Sequence, residues 1–326
     1  MAQIGDRIGP FELVERVRRG RRTTVFRGAR RDALQRHPRE VAIRVADGGD
    51  EGPDPALMDA LRAEYDTLRL LSDDRIPGAS ALYTGHGAVA LQWVRGVPLR
   101  EALRLVEAGR IDLDATTSLD ILVELAYALR HAHALVRDEG RIVHGTLSAD
   151  AVWLTPEGGV VLHGFADPDP VHVWPVAPEQ QQDVQDARTD QWQLGALGIE
   201  LLRHAPEVLA EAKGAPIDVA FGLLRQRWPA ATRLLGRMLA EDPAHRYESE
   251  ERLIKDLLAL ARGLGGVSRR AEVGARSMQL LEAGVETSPA RGPAVEPRRA
   301  VEAPRPRSPV DLPPTPALRA APTSPR

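Results

Sequence analysis

Several residues of this chain have the types and spacing that chemistry needs. Arg18, Arg19, Arg21 and Arg22 surround Gly20. Four guanidinium groups around one glycine could draw in an anion, although a solvated basic hairpin explains the same run. Asp150, Asp167 and Asp169 offer hard oxygen atoms of the kind Mg²⁺ prefers. His144 stands two residues from Thr146, an imidazole beside a hydroxyl, with proximity as the whole support for a catalytic pairing. Arg44 and Glu64 could make a bidentate guanidinium–carboxylate contact. The indole of Trp153 could stack on a planar ligand or fill a pocket itself. There is no cysteine, which excludes thiolate catalysis, disulfides and Cys-ligated metal.

These side chains need elements to hold them. Residues 11–17, 23–28 and 41–45 read as short strands, rich in β-branched and aromatic residues and separated by polar turns. Residues 56–71 read as a helix with Leu57, Leu61, Tyr65 and Leu68 on one face. Strand patterns return at 82–84 and 89–94. From residue 99 onward the pattern is mostly helical, over 99–107, 117–136, 189–202, 228–240 and 250–264. Two strand-like pieces, 152–155 and 160–162, interrupt it around the turn 156–159. A strand-rich unit, 1–95, is thus followed by a larger helical one, 96–264, and no internal repeat is visible.

A third segment, 265–326, is rich in Pro, Ala and Arg. From about 285 it has too few large hydrophobes to offset the entropy of ordering, so disorder is expected there. Met278-Gln279-Leu280-Leu281 could form one short amphipathic helix. Ser288, Ser308, Thr315 and Ser324 each precede a proline and could accept phosphate or dock a partner; a merely solvated tail reads the same way.

Hydrophobic content of 43% and charged content of 27% are ordinary for a soluble globular protein. A net charge of -3 gives no reason to expect nucleic acid or anionic lipid as partner. No stretch approaches the roughly 20 apolar residues of a membrane span, and the N-terminus lacks a signal-peptide core. A cytoplasmic protein is expected. Of 43 basic residues only Lys213 and Lys255 are lysines, which suggests a GC-rich, bacterial genome.

The order of landmarks resembles a bacterial-type Ser/Thr protein kinase domain over residues 8–263. Val41-Ala42-Ile43-Arg44 is similar to the strand motif Val-Ala-Ile-Lys, and Glu64 falls where the family's helix glutamate lies. Val89-Ala90-Leu91-Gln92-Trp93-Val94 resembles the last small-lobe strand and hinge. His144-Gly145-Thr146-Leu147-Ser148-Ala149-Asp150-Ala151 has the outline of the catalytic loop. Gly164-Phe165-Ala166 aligns with Asp-Phe-Gly, and Ala177-Pro178-Glu179 matches Ala-Pro-Glu directly. Asp190 resembles the aspartate of the central large-lobe helix, and Asp242 to Arg246 the late Asp-Pro-x-x-Arg motif.

The resemblance implies an α+β, bilobal kinase-like fold: a small antiparallel β-rich N-lobe with one helix, a larger mainly α-helical C-lobe and a disordered C-terminal tail. It also implies a stripped active site. Thr146 stands in place of the catalytic Asp, Ser148 of the loop Lys, Ala151 of the metal-binding Asn and Gly164 of the metal-binding Asp. No metal site is expected. A remnant nucleotide pocket is implied at Gly20, Val25, Ala42, Arg44, Glu64, Leu91, Val94 and Trp153, with ATP, held without metal, as the one cofactor allowed. The framework positions are kept: Glu179 with Arg246 as an ion pair, Asp190 under the loop, and Leu68, His144 and Phe165 as a stack between lobes. The expected function is that of a pseudokinase, a signalling scaffold or allosteric regulator that binds a protein such as an active kinase. A weakly active divergent kinase and a nucleotide sensor without transfer are the alternatives.

Overall fold

The computed structural model describes residues 2–30, 39–48, 54–137, 140–170, 175–265 and 267–284. The tail beyond 284, with Ser288, Ser308, Thr315 and Ser324 and the disorder expected there, lies outside the described residues. The first unit is a six-stranded antiparallel sheet in the order β1-β2-β3-β4-β6-β5. Its strands are β1 (Arg7–Ile8), β2 (Phe11–Arg19), β3 (Thr23–Ala29), β4 (Glu40–Ala46), β5 (Ala79–Tyr83) and β6 (Ala88–Gln92). Helix α1 (Pro55–Leu70) connects β4 to β5.

Side-chain alternation explains how this sheet positions a site. In β4, Val41, Ile43 and Val45 point to one face, where they pack with Phe11, Leu13 and Phe26. The period of two therefore turns Ala42 and Arg44 to the opposite face. Register pairs Arg44 with Val25 on β3 and with Val89 on β6, and Ala42 with Leu91. These residues arrive together on one wall.

Helix α1 begins at Asp54, whose side chain accepts the Ala56 N–H, with Pro55 in the first turn. It buries Leu57, Leu61, Glu64, Thr67 and Leu68. Glu64 is buried beside the apolar stripe; Tyr65, as expected, packs against the same core as Leu57, Leu61 and Leu68 but is half-buried, with the Arg69 guanidinium 5.5 Å from its ring.

The helical unit follows the two-residue strand β7 (Val97–Pro98). It comprises α2 (Leu99–Glu107), α3 (Ala115–His133), the small strands β8 (Val136–Arg137), β9 (Gly140–Arg141), β10 (Val152–Leu154) and β11 (Val160–Leu162), then α4 (Ala187–Leu202), α5 (Pro206–Ala212), α6 (Ile217–Arg227), α7 (Pro229–Met238), α8 (Glu250–Gly263) and α9 (Arg270–Glu282). Strands β11, β10 and β7 form a second sheet. Helix α3 is apolar almost all round and packs on α4 and α8, which makes it the axis of the core.

Three features go beyond the sequence pattern. Helices α5 and α6 were not anticipated, and β7 is too short to show a period. Helix α9 runs for 13 residues instead of the four expected at 278–281. It buries Val273, Gly274, Ser277 and Leu280 and packs on α2, α3, β7 and β10.

Candidate functional site

A cavity of about 460 Å³ lies between the sheet and the helical unit. Val25, Ala42, Arg44, Glu64, Leu91, Val94 and Trp153 all line it, as do Thr146, Ser148, Ala151 and Gly164. Of the remnant nucleotide-pocket residues only Gly20 is not part of the lining, and of the other candidates Asp169 and His144 are not. Trp153 forms part of the wall and leaves the volume open; its ring lies 5.1 Å from that of His163. Burial holds the His163 imidazole neutral, its pKa pushed down to about 4, and its shielded Nε2 has no hydrogen-bond partner among the described residues.

Arg44 is the hub of the site. It meets Glu64 at 3.1 Å and grips Asp167 with both terminal nitrogens, Nη1 to Oδ1 at 2.8 Å and Nη2 to Oδ2 at 2.9 Å. Burial opposes the Arg44 charge, but the Glu64 and Asp167 carboxylates outweigh it and raise the pKa. Burial also pushes Glu64 up, to about 7; Arg44 pulls the other way and Asp167 adds to the rise.

From the sequence, Asp167 and Asp169 are candidate oxygen ligands only; the structure gives them cationic and backbone partners instead. The backbone supplies the missing turn: Gly164 has φ 103° and Ala166 φ 52°, so the chain doubles back and the Asp167 N–H donates to the Gly164 carbonyl at 3.2 Å. Asp167 thereby comes under Arg44 and also meets Arg18 at 3.4 Å. Asp169 Oδ2 accepts the N–H groups of Arg22 (2.8 Å) and Thr23 (2.9 Å) and the Thr23 hydroxyl (3.1 Å). Those bonds from Arg22 and Thr23 outweigh burial and hold the Asp169 carboxyl below its ordinary range. A Cβ on Gly20 would lie 2.1 Å from the same oxygen, which explains why that position has no side chain.

The loop at 144–147 is held from below. Asp190 on α4 accepts the N–H of His144 at 2.8 Å and of Gly145 at 2.7 Å, and Gly145 has φ 74°. Gln193 accepts the Leu147 N–H and donates to the Gly145 carbonyl, both at 2.8 Å. His144 spends both ring nitrogens locally: Nδ1 accepts the Thr146 N–H at 3.2 Å and Nε2 donates to the His163 carbonyl at 2.8 Å. Burial lowers its pKa. Both ring nitrogens thus face groups other than the Thr146 hydroxyl, and the geometry gives the catalytic pairing no support. His144 instead stacks edge-on against Phe165, 4.8 Å between centroids, with both rings buried.

Glu179 and Arg246 form a bidentate buried pair at 2.6 and 2.8 Å, with Thr189 also donating to the carboxylate. Removing either partner would strand a charge at a cost of about 3–5 kcal/mol.

No protein-family model matches the chain, and no curated protein matches it. Solved structures do. The Mycobacterium tuberculosis PknI kinase domain is 20% identical with a TM-score of 0.59, over 80% of this chain and 100% of that one. A double mutant of that domain gives 0.60 at 20% identity, over the same shares of the two chains. The apo form of PpkA-294 gives 0.61 at 19% identity, over 79% of this chain and 99% of that one. The fold is that of a protein kinase. Identity this low shows the fold alone.

In a kinase fold the cavity is where ATP and Mg²⁺ meet, and the residues here fit the two unequally. Mg²⁺ needs several hard oxygens in near-octahedral array. Among the described residues no three His, Cys, Asp or Glu side chains come together in a way that could hold a metal. Asp150, the remaining candidate, is tied to Arg100 at 3.4 Å, and Arg100 is also paired with Glu200. Among the described residues no helix is long and apolar enough to cross a membrane.

Proposed function

We propose that this chain is a pseudokinase: a kinase-fold protein that signals by binding another protein and transfers no phosphate. One observation carries the reading. The positions that should supply base and metal ligands hold Thr146, Ala151 and Gly164, while the aspartates near them are already engaged, Asp167 by Arg44 and Arg18 and Asp150 by Arg100. Phosphoryl transfer is mostly positioning and charge neutralisation, and each part that would do it is missing or already engaged. The framework, by contrast, is complete: Asp190 under the loop, Glu179 on Arg246, Phe165 on His144. A partner would be a signalling protein, such as an active kinase.

A second reading, a slow kinase, draws on the presence of Asp167 in the cleft. Transfer of label from γ-labelled ATP to the chain itself and to a general basic protein, with Mg²⁺ or Mn²⁺, separates the two. No metal-dependent incorporation is expected. Incorporation that Asp167→Ala abolishes would establish the slow kinase instead.

A further inference from the structure

We propose that the anion-binding end of the cleft is filled in cis by Asp167 and Asp169, so that the open part of the cleft selects an uncharged planar ligand over its phosphorylated form. This goes beyond the absence of catalysis, since a silent kinase fold could still hold a nucleotide by its phosphates.

Charge and geometry support the latch together. Three guanidinium groups converge on the segment 167–169: Arg44 and Arg18 on the Asp167 carboxylate, Arg18 again on the Asp169 carbonyl, and Arg22 on the Pro168 carbonyl at 2.7 Å. Against them stand the carboxylates of Asp167 and Asp169, with the Glu64 carboxyl behind Arg44, so most of the cluster's charge is met without a ligand. The hairpin N–H groups of Arg22 and Thr23, the kind of backbone donor that would face a phosphate, point at Asp169 Oδ2. Gly20 leaves room for that carboxylate and for nothing larger. A phosphate entering here would meet two carboxylates and would have to strip a bidentate pair whose side chains are each only 6% exposed.

The rest of the cavity has the opposite character. Val25, Ala42 and Leu91 form an aliphatic wall and Trp153 and His163 an aromatic one, with the paired Arg100 and Asp150 and the hydroxyls of Thr146 and Ser148 also in the lining. A flat neutral heteroaromatic molecule matches such a slot.

Adenosine and ATP share a base and differ in charge, which makes them the probes. Isothermal titration of the full chain should give adenosine a dissociation constant at least tenfold below that of ATP, with no effect of Mg²⁺ on either. In Asp167→Asn/Asp169→Asn the cations are freed, and ATP should gain tenfold or more while adenosine stays within about threefold. ATP binding as tightly as adenosine, or more tightly, in the unaltered chain overturns the proposal, and so does failure of adenosine to bind. The unaltered chain thus decides even if the double variant does not fold. Tight ATP binding without label transfer would remove the latch and leave the pseudokinase reading standing; transfer would remove that reading.

Discussion

At the scale of single residues, the site depends on one strained backbone position. Ala166 sits in the left-handed region at φ 52°, where a Cβ costs roughly 1–2 kcal/mol. That strain persists because the turn delivers Asp167 to Arg44. Its side chain is exposed, so Ala166→Gly removes the penalty without removing a contact. The variant should be more stable by about 1 kcal/mol in urea unfolding, and a loss of stability would show that the turn is not strained. His133 makes a pH-dependent contribution of another kind. It lies between Asp190 (2.8 Å) and Glu250 (3.0 Å). Burial works against its charge, but the two carboxylates raise its pKa from 6.5 to about 9. A raised pKa means that the stabilisation is complete below about pH 6.5 and is lost as pH rises through about 9. The linkage is worth on the order of 3 kcal/mol. Unfolding free energies at pH 6 and 9.5 should therefore differ more in the wild-type chain than in His133→Gln; equal differences would remove the imidazolium from the account.

At the scale of elements, legibility followed periodicity. The alternation in β4 and the Leu57, Leu61 and Leu68 positions of the α1 stripe could be read from sequence because each element buries one regular face, whereas the buried Glu64 among them could not. Helix α6 could not: it buries only Ala220 and Leu224 over 11 residues, too weak a stripe to stand out. The pocket wall was legible residue by residue, since Val25, Ala42, Arg44 and Leu91 hold fixed places in a sheet. The latch was not, because it depends on the two positive φ values at Gly164 and Ala166, and an alanine gives no sign of a left-handed turn. Helix α9 was visible only in its last turns, where Leu280 and Leu281 fall; its first half docks through Gly274. A Cβ at Gly274 would lie 2.2 Å from the Thr155 carbonyl oxygen, which backbone cannot yield cheaply. Gly274→Ala should cost about 1–3 kcal/mol and speed amide exchange across α9. Gly263→Ala, at an open position near the end of α8, is the control and should be neutral or stabilising by up to about 1 kcal/mol.

At the scale of the whole molecule, the two lobes are joined by few residues in the chain and by a dense knot of charge in space. Arg44 ties the sheet both to α1 and to the segment after Phe165, which Arg18, Arg22 and Thr23 also hold. Its partners lie 20 residues away at Glu64 and 123 away at Asp167, and the Arg18–Asp167 bond spans 149. Closing loops that long is entropically expensive and slow, so these contacts should form after each lobe has its own core. The knot therefore belongs to the late side of the folding barrier. Asp167→Asn should leave the refolding rate nearly unchanged and accelerate unfolding, by on the order of thirtyfold if about 2 kcal/mol is lost. Stopped-flow traces in which refolding slows in proportion would place lobe docking inside the folding nucleus. The contact that fills the cleft would then serve chiefly as a clasp on lifetime: it decides how long the assembled molecule stays assembled, and contributes little to how fast it first comes together.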